Sequence, residues 1–115
     1  MGMIRNEVTI VHDWELKRLK KLHKNAMEYF SEIEKIYEVD IDMISPIMKS
    51  VMNEEYTFVI NGDCSKVDWK MSERFHEARM KWCEEHKNEV EAIIVVNFGE
   101  GDMPCEVVFD STGMK

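Results

Sequence analysis

Cys83 and His86, in the run Trp-Cys-Glu-Glu-His at 82–86, stand three positions apart, the spacing of neighbours on one side of a helix. His76 falls seven positions before Cys83, two turns back on the same side. Thiolate and imidazole are zinc ligands, and Cys64 and Cys105 could complete a closed shell. The chain has no Cys-x-x-Cys pair, however, and His86 continues the apolar stripe of Phe75, Ala78 and Trp82. That spacing makes it a hydrogen-bonded histidine at the edge of a core, and no metal is expected.

Cys64 sits in the polar run Asn-Gly-Asp-Cys-Ser-Lys at 61–66, where Lys66 could lower its pKa and make it a nucleophile. A nucleophile needs a base within hydrogen-bond reach, and His12, His23, His76 and His86 are the candidates. Nothing in the sequence brings one of them close, so no catalytic residue is assigned. Asp40 and Asp42 would point to one side of an extended segment and could hold magnesium, but they read better as an acidic connector in solvent. Gly99-Glu100-Gly101 has the look of a phosphate loop, yet such a loop opens a helix. Here a strand with Pro104 at its start follows, so the glycines make a turn. No cofactor is expected.

The charge layout is more informative. Lys17, Arg18, Lys20, Lys21 and Lys24 crowd the first part of a helix, and Glu28, Glu32, Glu34 and Glu38 follow. This order opposes the helix dipole, so local helix stability does not explain it. Two such helices packed antiparallel would match basic halves with acidic ones. An anionic partner is the other functional reading, and a solvated surface is the plain one. The five basic residues are carried as a candidate binding surface. A second candidate patch is Asn61, Asp63, Lys66 and Trp69, because Trp69 lies off the apolar stripe of its helix beside polar residues.

The elements that must position these groups follow from patterning. The 115 residues fit a single domain, 1–115, able to bury its own core without metal or disulfides. No apolar run approaches the ~20 residues of a membrane helix. No signal-peptide pattern opens the chain, and three cysteines, an odd number, suggest free thiols in a reducing, cytoplasmic setting. A net charge of −8 argues against non-specific binding to nucleic acid or anionic membrane.

Residues 8–11 read as a strand. Asp13 then caps a helix whose stripe, Leu16, Leu19, His23, Ala26, Phe30, Ile33 and Tyr37, runs to the region of Glu38–Asp42. Ser45-Pro46 signals a short helix through Met52. Tyr56–Ile60 is a strand, and a second long helix, capped by Ser65 or Ser72, ends near Asn88. Residues 92–109 form a closing hairpin. The expected fold is α+β: a mixed four-stranded sheet, two long helices and one short one, in the order β-α-α-β-α-β-β. Both long helices should link parallel strands by crossovers.

Such a sheet has two apolar faces. Val8, Ile10, Tyr56, Phe58, Ile60, Ile94, Val96, Phe98, Cys105, Val107 and Phe109 mark the richer one. One helix shields about two strands on one face, since helices are about 10 Å wide and strands lie about 4.8 Å apart. Either one helix lies on each face, or both lie on the richer face and leave the other to a second chain. The second arrangement is preferred. It makes Val11, Val59, Ile93, Val95 and Val108 the expected oligomer interface, with a dimer as the simplest product.

The segment YTFVINGDCSKVDWKMSERFHEAR, residues 56–79, resembles small uncharacterised phage-type proteins in its strand, Gly-Asp-x-Ser-Lys turn, tryptophan and serine-capped helix. The short strand ending near Asn-Phe-Gly-Glu at 97–100 extends the likeness. Cys64 stands where that pattern has glycine, and Val67-Asp68 where glycine precedes the tryptophan. The resemblance implies a viral accessory setting in a host cell and carries no activity. The function expected from all this is a non-enzymatic, self-associating interaction protein that binds a host protein or a small anionic ligand. The alternative is a small enzyme on a nucleotide or phosphorylated substrate, its site shared between subunits and drawing on Cys64, Cys83 or His86. A structural role in a virion is a third expectation.

Overall fold

A computed structural model describes residues 4–35, 43–66, 69–98 and 104–112. The elements in chain order are β1 (Ile4–Arg5), β2 (Glu7–Asp13), α1 (Leu16–Glu34), β3 (Met48–Lys49), β4 (Tyr56–Ile60), β5 (Ser65–Lys66), α2 (Lys70–His86), β6 (Ala92–Asn97) and β7 (Glu106–Asp110). Five strands form one antiparallel sheet in the order β3-β4-β2-β6-β7, and β1 pairs with β5 in a small ribbon beside it.

The fold is α+β, with two corrections to the expected details. The sheet has five strands, all antiparallel to their neighbours, where four mixed strands were expected. The short helix after Ser45-Pro46 is absent, and that stretch runs along β4 as an irregular edge. Ser45 N–H donates to the Val59 carbonyl at 2.9 Å, and Val59 N–H returns a 2.8 Å bond to the Ser45 hydroxyl. Pro46 has no N–H to offer, which an edge position tolerates. Asn53 and Glu54, with φ of 66° and 48°, then turn the chain into β4.

With β3 in place of a helix, the main order becomes β2-α1-β3-β4-α2-β6, followed by β7. This is the β-α-β-β-α-β plan of split, ferredoxin-like units. Each helix does join two strands that run the same way, β2 to β3 and β4 to β6. In each case a third strand lies between them, β4 in the first and β2 in the second.

Neither helix is capped as the sequence suggests. Glu15 and Trp69 occupy the N-cap positions without side-chain capping bonds. Asp13 belongs to β2, and its carboxylate accepts the Trp14 N–H and grips Arg18 instead. Ser65 bonds Asp63, and Ser72 is buried in the first turn of α2. Tyr37, Glu38, Asp40, Asp42, Asp68 and Gly99–Gly101 lie outside the described residues.

One core joins both helices to one face of the sheet. Leu19, Leu22, Ala26 and Phe30 from α1 meet Phe75, Trp82 and Cys83 from α2 over Val11, Phe58, Ile60, Ile93, Val95 and Phe109. Phe30 lies 5.9 Å from both Phe75 and Trp82, and the Tyr29 hydroxyl donates to the Ala78 carbonyl at 3.1 Å, so the helices also touch each other. Gly62 lets the chain leaving β4 pass against β2. A Cβ there would stand 2.7 Å from the Glu7 carbonyl oxygen, closer than packing allows.

Candidate functional site

Both helices cover the same side of the sheet, and the strand register names what lies on each side. Thr9 pairs with Ile60 and Val95, and Val11 with Phe58 and Ile93. These residues point to the helices and are fully buried. The opposite face carries Val8, Ile10 and His12 of β2, Thr57 and Val59 of β4, and Ile94 and Val96 of β6, all partly exposed. Val107 of β7, opposite Val96, extends it and is 60% exposed. Among the described residues no helix or loop covers this face.

The expected interface is therefore corrected. Val11, Ile93 and Val95 lie at 0% exposure inside the core and cannot meet a partner. Val59 does lie on the open face. Val108 is the extra residue of a bulge in β7, more exposed than its neighbour Phe109. β2 and β6 stand one residue out of the expected phase relative to β4, which exchanges their two faces.

The open face is nearly free of charge. At one end His12 donates from Nε2 to Glu55 at 3.0 Å, with Nδ1 2.7 Å from the Thr57 hydroxyl. Asp110, paired opposite Ile94, marks the other side.

A second surface lies behind the helices. Arg18, Lys21 and Lys24, three of the five basic residues singled out above, line a cleft of ≈ 580 Å³ whose far wall is Asn88 and Glu89 after α2. Lys17 and Lys20 are exposed on α1 but do not line it. Arg18 is already engaged: Nε and Nη2 each reach the Asp13 carboxylate at 2.6 Å, and its guanidinium lies 5.3 Å over the Trp14 ring. Burial pushes the Asp13 carboxyl up. The Arg18 hydrogen bonds and charge, with the Trp14 and Glu15 N–H groups, outweigh it and hold the carboxyl below its ordinary 3.8. The same pairing raises the Arg18 guanidinium pKa.

The other candidate patch is mostly occupied by structural bonds. The Asn61 carbonyl accepts from Arg79 at 2.6 Å, and Asp63 accepts from the Ser65 hydroxyl at 2.7 Å. Lys66 belongs to β5, and Trp69 is 49% exposed at the entry to α2.

The thiols and histidines do not converge. Cys83 faces the sheet beside Thr9, and burial pushes its thiol up to about 12. His86 bonds Glu89, and its ring lies 5.0 Å from the Trp82 ring at a 46° tilt. His76 donates to the buried Glu7 carboxylate at 2.7 Å. Cys64 is exposed and donates to Asn6 Oδ1 at 3.2 Å. Among the described residues no three His, Cys, Asp or Glu side chains gather as metal ligands, and no helix is long and apolar enough to cross a membrane.

Sequence reasoning missed Glu7, Arg79, Asn25 and Asn88. Glu7 and Arg79 are charged yet buried, at 5% and 0% exposure, which only their long-range partners explain. Compared with family models, with curated proteins and with solved structures, the chain matches none.

Proposed function

We propose that this protein is a non-enzymatic interaction protein that self-associates through the open face of its sheet, two copies stacking face to face. The observation that carries the reading is that both helices lie on one side. Val8, Ile10, Val59, Ile94 and Val96 are left without cover among the described residues. A contiguous apolar patch of this kind marks an association surface.

The edges favour face contact over strand addition. Two β7 strands paired antiparallel about Val108 would set Glu106 against Asp110, and like charges directly opposite are destabilising. The other edge, β3, is two residues long and follows Pro46. Size sets the expected strength. Four strands about 4.8 Å apart and roughly six residues at about 3.4 Å each outline about 400 Å². A stable interface takes about 800 Å² per partner, so the apolar patch supplies its centre and the dimer is weak and reversible.

The likeness of residues 56–79 to phage-type proteins gives the proposal its setting, a viral accessory protein whose further partner is a host protein. Light scattering across a concentration series tests the reading: the mass should climb from one copy toward two. The Val107→Lys variant, altered at an exposed position of the same face, should stay at one.

A further inference from the structure

We infer that the cleft between α1 and the α2–β6 connection binds a small hydroxylated phosphate, of the size of a sugar phosphate, independently of the sheet face. The cleft measures ≈ 580 Å³, within the usual range of roughly 300–1,000 Å³ for small-molecule sites. Its cationic end holds Lys21 and Lys24, one turn apart on α1. Neither ammonium has a carboxylate within 4.0 Å among the described residues, although the chain is acidic and its neighbour Arg18 is fully paired. Two lysine point charges suit a tetrahedral dianion, whereas a lone carboxylate is better met by a free arginine fork.

Between them and the acidic end stands an oriented donor. The buried Trp82 Nε1–H donates to Asn25 Oδ1 at 2.9 Å. Indole nitrogen can only donate, so the Asn25 oxygen faces the tryptophan and its amide N–H₂ is left for the cleft. Glu28 follows one turn further along the same wall and has no ion pair among the described residues. From Lys21 and Lys24 to Glu28 the helix advances about 6–10 Å, the span from a phosphate to the far hydroxyls of a pentose. Glu28 would accept from those hydroxyls, and Asn88 lines the opposite wall.

Ribose 5-phosphate, inorganic phosphate and ribose, each titrated by calorimetry and by amide chemical shifts, test the inference. Ribose 5-phosphate should saturate with shifts at Asn25 and Asn88, phosphate should bind more weakly at the same residues, and ribose should not bind. Paired reversal Lys21→Glu with Lys24→Glu should weaken ribose 5-phosphate at least about tenfold, the scale of one charge-assisted hydrogen bond. Paired reversal Lys17→Glu with Lys20→Glu changes net charge equally but lies outside the cleft, and should cost less than about threefold. Equal weakening by both pairs, or no saturable ribose 5-phosphate binding at millimolar concentration by the folded protein, would overturn it.

Discussion

Arg79 of α2 and Thr9 of β2, seventy residues apart in sequence, meet in a 2.6 Å bond from guanidinium to hydroxyl at a point fully shielded from solvent. Arg79 also donates to the carbonyls of Ile60 at 3.0 Å and Asn61 at 2.6 Å, where β4 ends. One side chain thus fastens the second helix to two neighbouring strands. Arg79→Met takes the guanidinium donor away from all three acceptors, the Thr9 hydroxyl and the Ile60 and Asn61 carbonyls. Urea unfolding should show a loss of about 3 kcal/mol, the scale of breaking a buried polar network. Arg79→Lys should recover little of it, because a single ammonium cannot reproduce the fork.

Asp13 makes stability depend on acid. Its carboxyl is held below the ordinary 3.8 by Arg18 and by backbone N–H groups, against the upward push of burial. A depressed carboxyl stabilises the fold above its unfolded value, and that contribution disappears as pH falls through the lower folded value. Asp13→Asn should therefore unfold more easily at pH 7 and differ less from the parent as pH drops below 3.8. Thermal melts at pH 7 and pH 3 give the comparison. An equal deficit at both values would remove the charge from the explanation.

Cys83 should be silent toward thiol reagents in the native protein. Its thiol is buried and its pKa is raised to about 12, so almost no thiolate exists at pH 8. Cys64 and Cys105 are exposed. A chromogenic disulfide reagent at pH 8 should consume two thiols rapidly and the third only at the rate of unfolding. By the same linkage, Cys83 stabilises the fold below the ordinary thiol pKa and loses that contribution as pH rises toward 12.

Association should strengthen with salt. Each copy carries a net charge of −8, and the open face contributes little to it. Bringing two acidic bodies together costs Coulombic energy that salt screens, while the apolar contact is unaffected by screening. Sedimentation between about 20 mM and 500 mM sodium chloride, where the Debye length falls from about 20 Å to about 4 Å, should show the dimer fraction rising. A falling fraction would mean that ion pairs, and not the valine and isoleucine surface, hold the copies together.

The long elements were legible because their patterns are strong. Leu19, Ala26 and Phe30 recur at helical spacing and are buried, and the apolar runs at 56–60 and 92–97 are strands. Leu22 shows that the buried stripe is broader than the one first read. What escaped the sequence depended on distant partners. Ser45-Pro46 carries a helix-start signature, yet β4 offers Val59 as a partner and the segment follows the sheet. Val8, Thr9, Ile10 and Val11 are so uniformly apolar that alternation gives no phase. Polar residues set it in the structure: Glu7 and Asp13 turn inward because His76 and Arg18 receive them. The expected richer face put Val8 and Ile10 with Phe58, Ile94 and Val96, whereas the register sets Val11 with Phe58 and Ile93, so Val11, Ile93 and Val95 fall in the core. Within the candidate cleft, Lys21 and Lys24 were visible as charge, but Asn25 gained its role only through Trp82, fifty-seven residues away.

The most direct test of self-association is methyl NMR with a soluble paramagnetic probe at low and high protein concentration. The account predicts that the methyl signals of Val8, Ile10, Val59, Ile94 and Val96 broaden strongly when dilute and become protected when concentrated. Those of Met27, exposed on α1, should broaden equally at both concentrations. Equal broadening of all these methyls at every concentration, with a mass fixed at one chain, would contradict it.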